Sequence, residues 1–465
     1  MRQSHKRGAA PLSSPEELDL SLGHIFQLSW PVMISLLAQN LIGVVDTAFI
    51  ARLGEVQLGG VALAGLVYFS IYTIGFGLAS GTQIMVSHRY GAKQYDEIGR
   101  VMGQSVRLLI LAALFVVLLA FSTGRLLFSS LISSPEVAQS SIDYWNYRSI
   151  GYIFAFVGSA FRSFFVGVTR TKVLTLNAIV MSVVNIILDY GLIFGNFGLP
   201  QMGVKGAAIA SVCAELASVI FYVSYIASKV DHKKFGISLG VLFHRDSLLI
   251  RSLLKLSYYL MLQALLSQSV WTIFFFMIES LGERQLAIAS IIRSLYILLF
   301  LPVNSYGTAV RSTVGHIVGS GMPDKVVPYI WKSIILSFGT MLLVTTFVQL
   351  FPQLPLSIFT DDAQLIHDSI DALRVVCIAV LICSVGNMFF TSVGSTGDTK
   401  KVFTIELLNI AFYLGYAAVM IYVVKASVAL CFTVEVLYYL SIGIMSYLFM
   451  AGGKWKNIGV SQSLK

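Results

Sequence analysis

Charge is what this sequence has least of. Of its 465 residues only 12% are Asp, Glu, Lys or Arg, about half the share of a soluble domain. Hydrophobic residues make up 56%, and the mean hydropathy is +0.80. A soluble globular domain is excluded; this is a polytopic membrane protein. Cysteine is also sparse. Cys213, Cys377, Cys383 and Cys431 all fall inside apolar stretches, without metal-ligand or disulfide spacing, and read as small buried hydrophobes. A membrane enzyme using Asp46 and Asp189 as an acid–base pair would need a nucleophile, a metal triad or a phosphate loop beside them, and nothing supplies one, so no enzyme and no cofactor is expected. The first 24 residues are polar, with Arg2, Lys6 and Arg7 but no short apolar core or cleavage site, so the first span is expected to direct insertion.

What is there is a series of twelve apolar segments, near 28–50, 58–86, 101–122, 142–166, 173–194, 204–228, 251–280, 286–312, 331–351, 368–393, 402–424 and 427–452. Each can cross a hydrocarbon core of roughly 30 Å. The loops on the N-terminal side hold most of the Lys and Arg, whereas the opposite loops hold five: Arg52, Arg125, Lys205, Arg284 and Lys425. That bias puts both termini in the cytoplasm and makes the net charge of +9 a topology signal, with no nucleic-acid partner implied; a cell (inner) membrane is the expected location. The expected fold is all-α, twelve transmembrane helices in two six-helix lobes. A tail (1–24), an N-lobe (25–228), a basic cytoplasmic linker (229–250), a C-lobe (251–453) and a second tail (454–465) divide the chain.

The two halves repeat. Sliding the sequence by 228 residues aligns Leu53-Gly54-Glu55 with Leu281-Gly282-Glu283, and His88, Gly91 and Asp96 with His316, Gly319 and Asp324. The same shift aligns Ser141-Ile142-Asp143 with Ser369-Ile370-Asp371, and Thr171-Lys172 with Thr399-Lys400. Six spans per half give both halves the same orientation, a parallel repeat about an axis along the membrane normal. Two such lobes can rock to open a cleft on either side, the plan of an alternating-access carrier. Pro31 and Pro302 mark candidate kinks, and the glycines of GFGLASG (75–81) permit close helix packing.

Function is sought where the copies differ. Asp46, Asn185 and Asp189 shift onto Phe274, Tyr413 and Ala417, so this polar set exists only in the first half. Counting residues from the outer ends of their spans places Asp46, Asp189 and Ser211 at one depth, roughly 9–11 Å below the outer surface, with Asn185 one turn deeper. Two carboxylates, an amide and a hydroxyl can bind a small hard cation through oxygens, share and trade protons, or simply lock three helices together. The absence of His and Cys argues against a transition metal. Glu215, Gln39, Arg293, Gln263 and Glu435 are secondary cavity candidates. Glu215 and Glu435 occupy related positions in spans six and twelve, Arg293 can pair with an acid such as Glu435, and Arg148 and Arg374 are left without an assigned partner. Tyr144-Trp145-Asn146-Tyr147 reads as an interfacial belt, and Glu406 as a snorkelling or interfacial acid.

Taken in order, VDTAFIARLG (45–54), GTQIMVSHRYGAK (81–93), NIILDYGLIFG (185–195), GVKGAAIAS (203–211) and VGSTGDTK (393–400) resemble the MATE (multidrug and toxic compound extrusion) transporters from about Leu22 to Lys456. The resemblance implies efflux of small organic, cationic or amphipathic compounds in exchange for inward H⁺ or Na⁺, by a monomer in the bilayer. It assigns the coupling ion, H⁺ or Na⁺, to Asp46, Asn185, Asp189 and Ser211, with Ser in place of the commoner Thr. A second branch of the family uses acids in spans seven and ten; Gln263 and Cys383 stand near those positions here, which argues against a C-lobe cation site. Tyr190 replaces the proline that often follows the fifth-span aspartate. The alternative is a lipid-linked precursor flippase of the same superfamily, but such proteins usually have fourteen spans and cationic cavities. A facilitator of another six-plus-six fold would carry a basic Asp-Arg-x-Gly motif, which SHRYGAKQYDEIGR lacks.

Overall fold

The computed structural model describes residues 19–238, 240–241 and 245–456. Residues outside that set include most of both expected tails and part of the 229–250 linker. Thirteen helices carry the fold: α1 (Leu22–Ala51), α2 (Glu55–Gly91), α3 (Tyr95–Leu131), α4 (Pro135–Arg148), α5 (Gly151–Gly167), α6 (Lys172–Phe194) and α7 (Val204–Lys229) in the first half. The second half holds α8 (Ser247–Glu279), α9 (Glu283–Gly319), α10 (Val326–Leu350), α11 (Ala363–Ser395), α12 (Thr399–Ala418) and α13 (Thr433–Ala451). Eleven spans are long and apolar enough to cross a bilayer, and α4 with α5 makes a twelfth, bent by 51° at its break.

Local chemistry starts the helices where the loops demand it. Ser21, Ser134, Asp246, Asp362 and Asp398 each accept a backbone N–H of the following turn, satisfying a donor the helix leaves unpaired. The turns between the first two helices of each lobe are related by the repeat. Gly54 (φ 125°) and Gly282 (φ 106°) cap α2 and α9, in a backbone region closed to side chains. Pro31 and Pro302 sit within unbroken helices rather than ending them.

The bend in the fourth span has an identifiable cause. Arg148, at the end of α4, makes two hydrogen bonds to Glu215 of α7 (2.9 and 2.6 Å), and a Cβ on Gly151 would lie 2.2 Å from its Nη1 and 2.4 Å from Glu215 Oε2. The break and the missing side chain make room for a buried ion pair. The repeat has no such pair in α11, and α11 runs unbroken. Of the aromatic run before the bend, Tyr147 is exposed, as a belt residue would be, but the other two aromatics are not. Trp145 is 2% exposed, donates Nε1–H to the Ala120 carbonyl (3.0 Å) and packs on Phe128 and Tyr152; Tyr144 is buried too.

Two hydrophobic cores form, one from α1–α7 and one centred on α8–α13. Between these lobes, α2 lies against α8 and α9, and α1 against α9. Gly77 brings α2 close, since a Cβ there would lie 2.7 Å from Met261 Cα. With twelve spans, α1 begins and α13 ends on the same face, here called the terminal face. The hydrogen bonds that join the lobes among the described residues lie on that side. His88 Nε2 meets the Ser395 carbonyl (2.7 Å), and His316 Nε2 meets the Gly167 carbonyl (2.6 Å). Both members of this reciprocal pair are related by the 228-residue shift. Ser257 donates to Leu78 O, Ser312 to Val166 O, Ser320 to Gly91 O and Ser305 to Ser29 O. Toward the far face, a cleft of about 270 Å³ lies between α2 and α8, lined by Ser70, Thr73, Gln268, Ser269 and Thr272.

Candidate ion-binding site

Asp46 lies five residues before the end of α1, and Asn185 and Asp189 lie one turn apart on α6, which packs along α1. Asn185 is 1% and Asp189 0% exposed, and Asp46 is half-buried. The Asp46 and Asp189 carboxylates face each other, with the Asn185 side chain beside Asp189. Yet Asp46 Oδ1, both Asp189 oxygens and both Asn185 side-chain atoms are buried without a hydrogen-bond partner. Facing carboxylates are both acceptors, and among the described residues no hydrogen bond is donated to Asp46 Oδ1 or to either Asp189 oxygen. A proton shared by the pair, or a cation coordinated by their oxygens, is the kind of species such an arrangement can hold. What sets this group apart from other unpaired buried atoms is that five of them, from two carboxylates and an amide, cluster at one place.

Ser211 is half-buried on α7, which packs on α6, but it makes no hydrogen bond to this group. Three of the four predicted residues are thus brought together, and the fourth stands apart from their contacts. Arg148 lies within electrostatic range of Asp46, and Tyr144 within range of both acids. Arg148 is committed: its guanidinium is bonded to both oxygens of Glu215 and stacked 3.7 Å over the Tyr68 ring, and Tyr68 O–H donates to Glu215 (3.1 Å). Glu215 is therefore a neutralised, structural acid. Opposite-sign residues at Arg148 and Glu215 were the sequence signal for this pair, but nothing in the spacing joined them.

The second lobe fills the equivalent place with aromatics. Phe274, the counterpart of Asp46, is 0% exposed and packs edge-on against Tyr413 (5.6 Å) and Phe432 (5.5 Å). Tyr413, the counterpart of Asn185, donates to Glu435 (2.7 Å), which also accepts from Tyr296 (3.3 Å). Glu435 is held by tyrosines and does not pair with Arg293, whose guanidinium lies over Phe275 (5.1 Å). Glu406 is no interfacial acid: it is 0% exposed, accepts from Ser267, and accepts from Tyr438 at both oxygens (2.9 and 3.0 Å). Gln263 donates to Ser267 (3.0 Å) and faces the same carboxylate. Arg374 pairs with Asp371 one turn back (3.2 Å), and Gln39 is exposed, bonded to Ser35 (3.2 Å). No group of three or more His, Cys, Asp and Glu suited to a metal occurs among the described residues.

Two pseudo-symmetric helical lobes joined along one face have the plan of a membrane transporter. The chain belongs to the MatE family, whose model matches residues 31–191 and 260–419, one stretch in each lobe. It is similar to the "Probable multidrug resistance protein NorM" of Aromatoleum aromaticum, 26% identical over 335 residues and 72% of each chain. The protein of the same name from Thermotoga maritima is 23% identical over 397 residues, 85% of this chain and 84% of its own. In fold, it matches an outward-facing multidrug resistance MATE transporter of the MOP superfamily with a TM-score of 0.83 at 21% identity, covering 96% and 97% of the two chains. A variant of the Vibrio cholerae transporter VcmN matches with a TM-score of 0.85 at 18% identity over 93% and 96%.

Proposed function

We propose that this chain is a secondary antiporter that moves small organic, cationic or amphipathic compounds out of the cytoplasm in exchange for inward H⁺ or Na⁺. The observation that carries this reading is the Asp46–Asp189 pair, two facing acceptors with no donor between them among the described residues. The names of its NorM relatives support organic efflux. The Lys/Arg bias makes the terminal face cytoplasmic, in a cell inner membrane, and the closure of that face makes this the outward-facing state. Six spans per lobe and a seam confined to one face support a rocking exchange between states.

In this cycle an ion entering from outside neutralises Asp46 and Asp189 and draws α1 toward α6. Movement of α1 reaches the seam directly. Its Ser29 carbonyl accepts Ser305 of the other lobe, and its Pro31 carbonyl accepts Thr175 of α6 (2.8 Å). Ion and substrate compete because each stabilises a different state, and a ligand shifts the balance only by its difference in affinity. Proteoliposomes loaded with a fluorescent organic cation, given a pH or a Na⁺ gradient separately, test the reading. One gradient drives transport in the wild type, and Asp46→Asn and Asp189→Asn abolish it while the proteins still fold. Full gradient-driven transport by both variants would sink the assignment.

A further inference from the structure

The lobes also break symmetry at the seam itself. The reciprocal contacts across the axis pair Gln83 with the Thr308 carbonyl (3.5 Å) and Arg311 with Ser80 Oγ (3.3 Å). Ser80 and Thr308 are related by the 228-residue shift, and so are Gln83 and Arg311. At one member of a symmetric pair an amide has become a guanidinium. Close by, from the other lobe, comes Arg162 of α5, whose counterpart in the repeat is Phe390: its guanidinium stands 5.8 Å from the ring of Phe76, whose carbonyl accepts the Ser80 hydroxyl (2.9 Å) that Arg311 also contacts. Both cations lie within the membrane-spanning part. Arg162 is five residues, roughly 8 Å, and Arg311 eight residues, roughly 12 Å, from the terminal-face ends of their helices.

Neither has a counter-charge among the described residues. Among the described residues no carboxylate pairs with either guanidinium, in contrast to Arg148, Arg284 and Arg374. Arg162 makes no hydrogen bond, its Nε is buried without a partner, and its guanidinium stands 5.8 Å from the Phe76 ring. Arg311 has the single bond to Ser80. Charges held within the membrane mark substrate or ion pathways far more often than they serve packing, and like charges from two lobes resist the closure that brings them together. A guanidinium fork is shaped to bind carboxylate or phosphate oxygens.

We propose that Arg162 and Arg311 form an inter-lobe receptor for an anionic group, so that the transported compounds include organic anions and zwitterions as well as cations. The inference rests on the carrier reading and names the chemistry of its substrate. An anion between the two guanidiniums supplies the missing counter-charge and is clamped when the terminal face closes. Because one arginine comes from each lobe, occupancy is linked to closure. Ser80 and Gln83 flank the pair and orient the anion by hydrogen bonds.

The test compares two dyes that differ only at one group: a rhodamine with a free carboxylate and its methyl ester. Transport of both is measured in proteoliposomes with the membrane potential clamped. Arg311→Gln, which restores the residue of the other repeat, and Arg162→Gln are each expected to lower the free-acid to ester ratio at least tenfold, with part of the ratio recovered in Arg311→Lys. An unchanged ratio, whether both rates fall together or neither falls, overturns the proposal. If the wild type carries neither dye, the carrier reading fails on that substrate, and equilibrium binding to detergent-purified protein decides the anion site. Arginine-dependent binding of the free acid upholds it, and inorganic phosphate is run beside the dye. Displacement of the dye by phosphate locates the contact at the carboxylate; equal binding of acid and ester overturns the site.

Discussion

Replacing Gly319 by Ala strikes the seam between the lobes without touching the acid pair. A Cβ on Gly319 would lie 2.1 Å from the His88 carbonyl oxygen, and its repeat counterpart Gly91 would place one 2.2 Å from the His316 carbonyl oxygen. Ordinary contact needs roughly 3.5 Å, and backbone, not a flexible side chain, stands in the way. The lobes must part by more than an ångström to accommodate the methyl group. Overpacking of this kind costs about 1–3 kcal/mol, and weakening one histidine–carbonyl bond adds about 1 kcal/mol. Together, about 2–4 kcal/mol shifts the balance away from the closed terminal face by roughly 30- to 700-fold. Spin labels on Lys93→Cys and Asp324→Cys, with Cys213, Cys377, Cys383 and Cys431 replaced by Ala, read the separation of the lobes at that face. The Gly319→Ala protein should populate a longer distance than the parent. Gly339→Ala, whose Cβ meets nothing within 4 Å, is the control. An unchanged distance distribution in Gly319→Ala would refute the reasoning.

Two other substitutions separate structure from coupling. Arg148→Ala leaves Glu215 buried without its counter-ion and should cost on the order of 3–5 kcal/mol, seen as a lower melting temperature in detergent; the double change Arg148→Met with Glu215→Leu should be milder. A double variant less stable than Arg148→Ala would contradict this. Glu406→Gln should keep gradient-driven transport, unlike Asp189→Asn, because Glu406 is already satisfied by Ser267 and Tyr438. Loss of ion coupling in Glu406→Gln would move a coupling acid into the second lobe.

The sequence by itself determined the twelve spans and the two-lobe repeat. Apolar length sets what can cross a bilayer, and a shift that aligns His88, Gly91 and Asp96 with His316, Gly319 and Asp324 leaves little freedom of topology. It also singled out Asp46, Asn185 and Asp189, because an unmatched acid in an apolar span is conspicuous. Partnership was beyond it. Glu406 and Glu435 looked alike as in-span acids, yet one is held by Ser267 and Tyr438 and the other by Tyr413 and Tyr296. Trp145 looked interfacial because its place in the sequence is near a span end, and only its packing on Phe128 and Tyr152 and its bond to the Ala120 carbonyl show that it points inward. Tertiary structure alone decided which buried groups are satisfied and which are not. Hydrogen bonds and ion pairs across helices join residues tens to hundreds of positions apart, such as Arg148 with Glu215 or His88 with Ser395, and helical periodicity carries no information at that range.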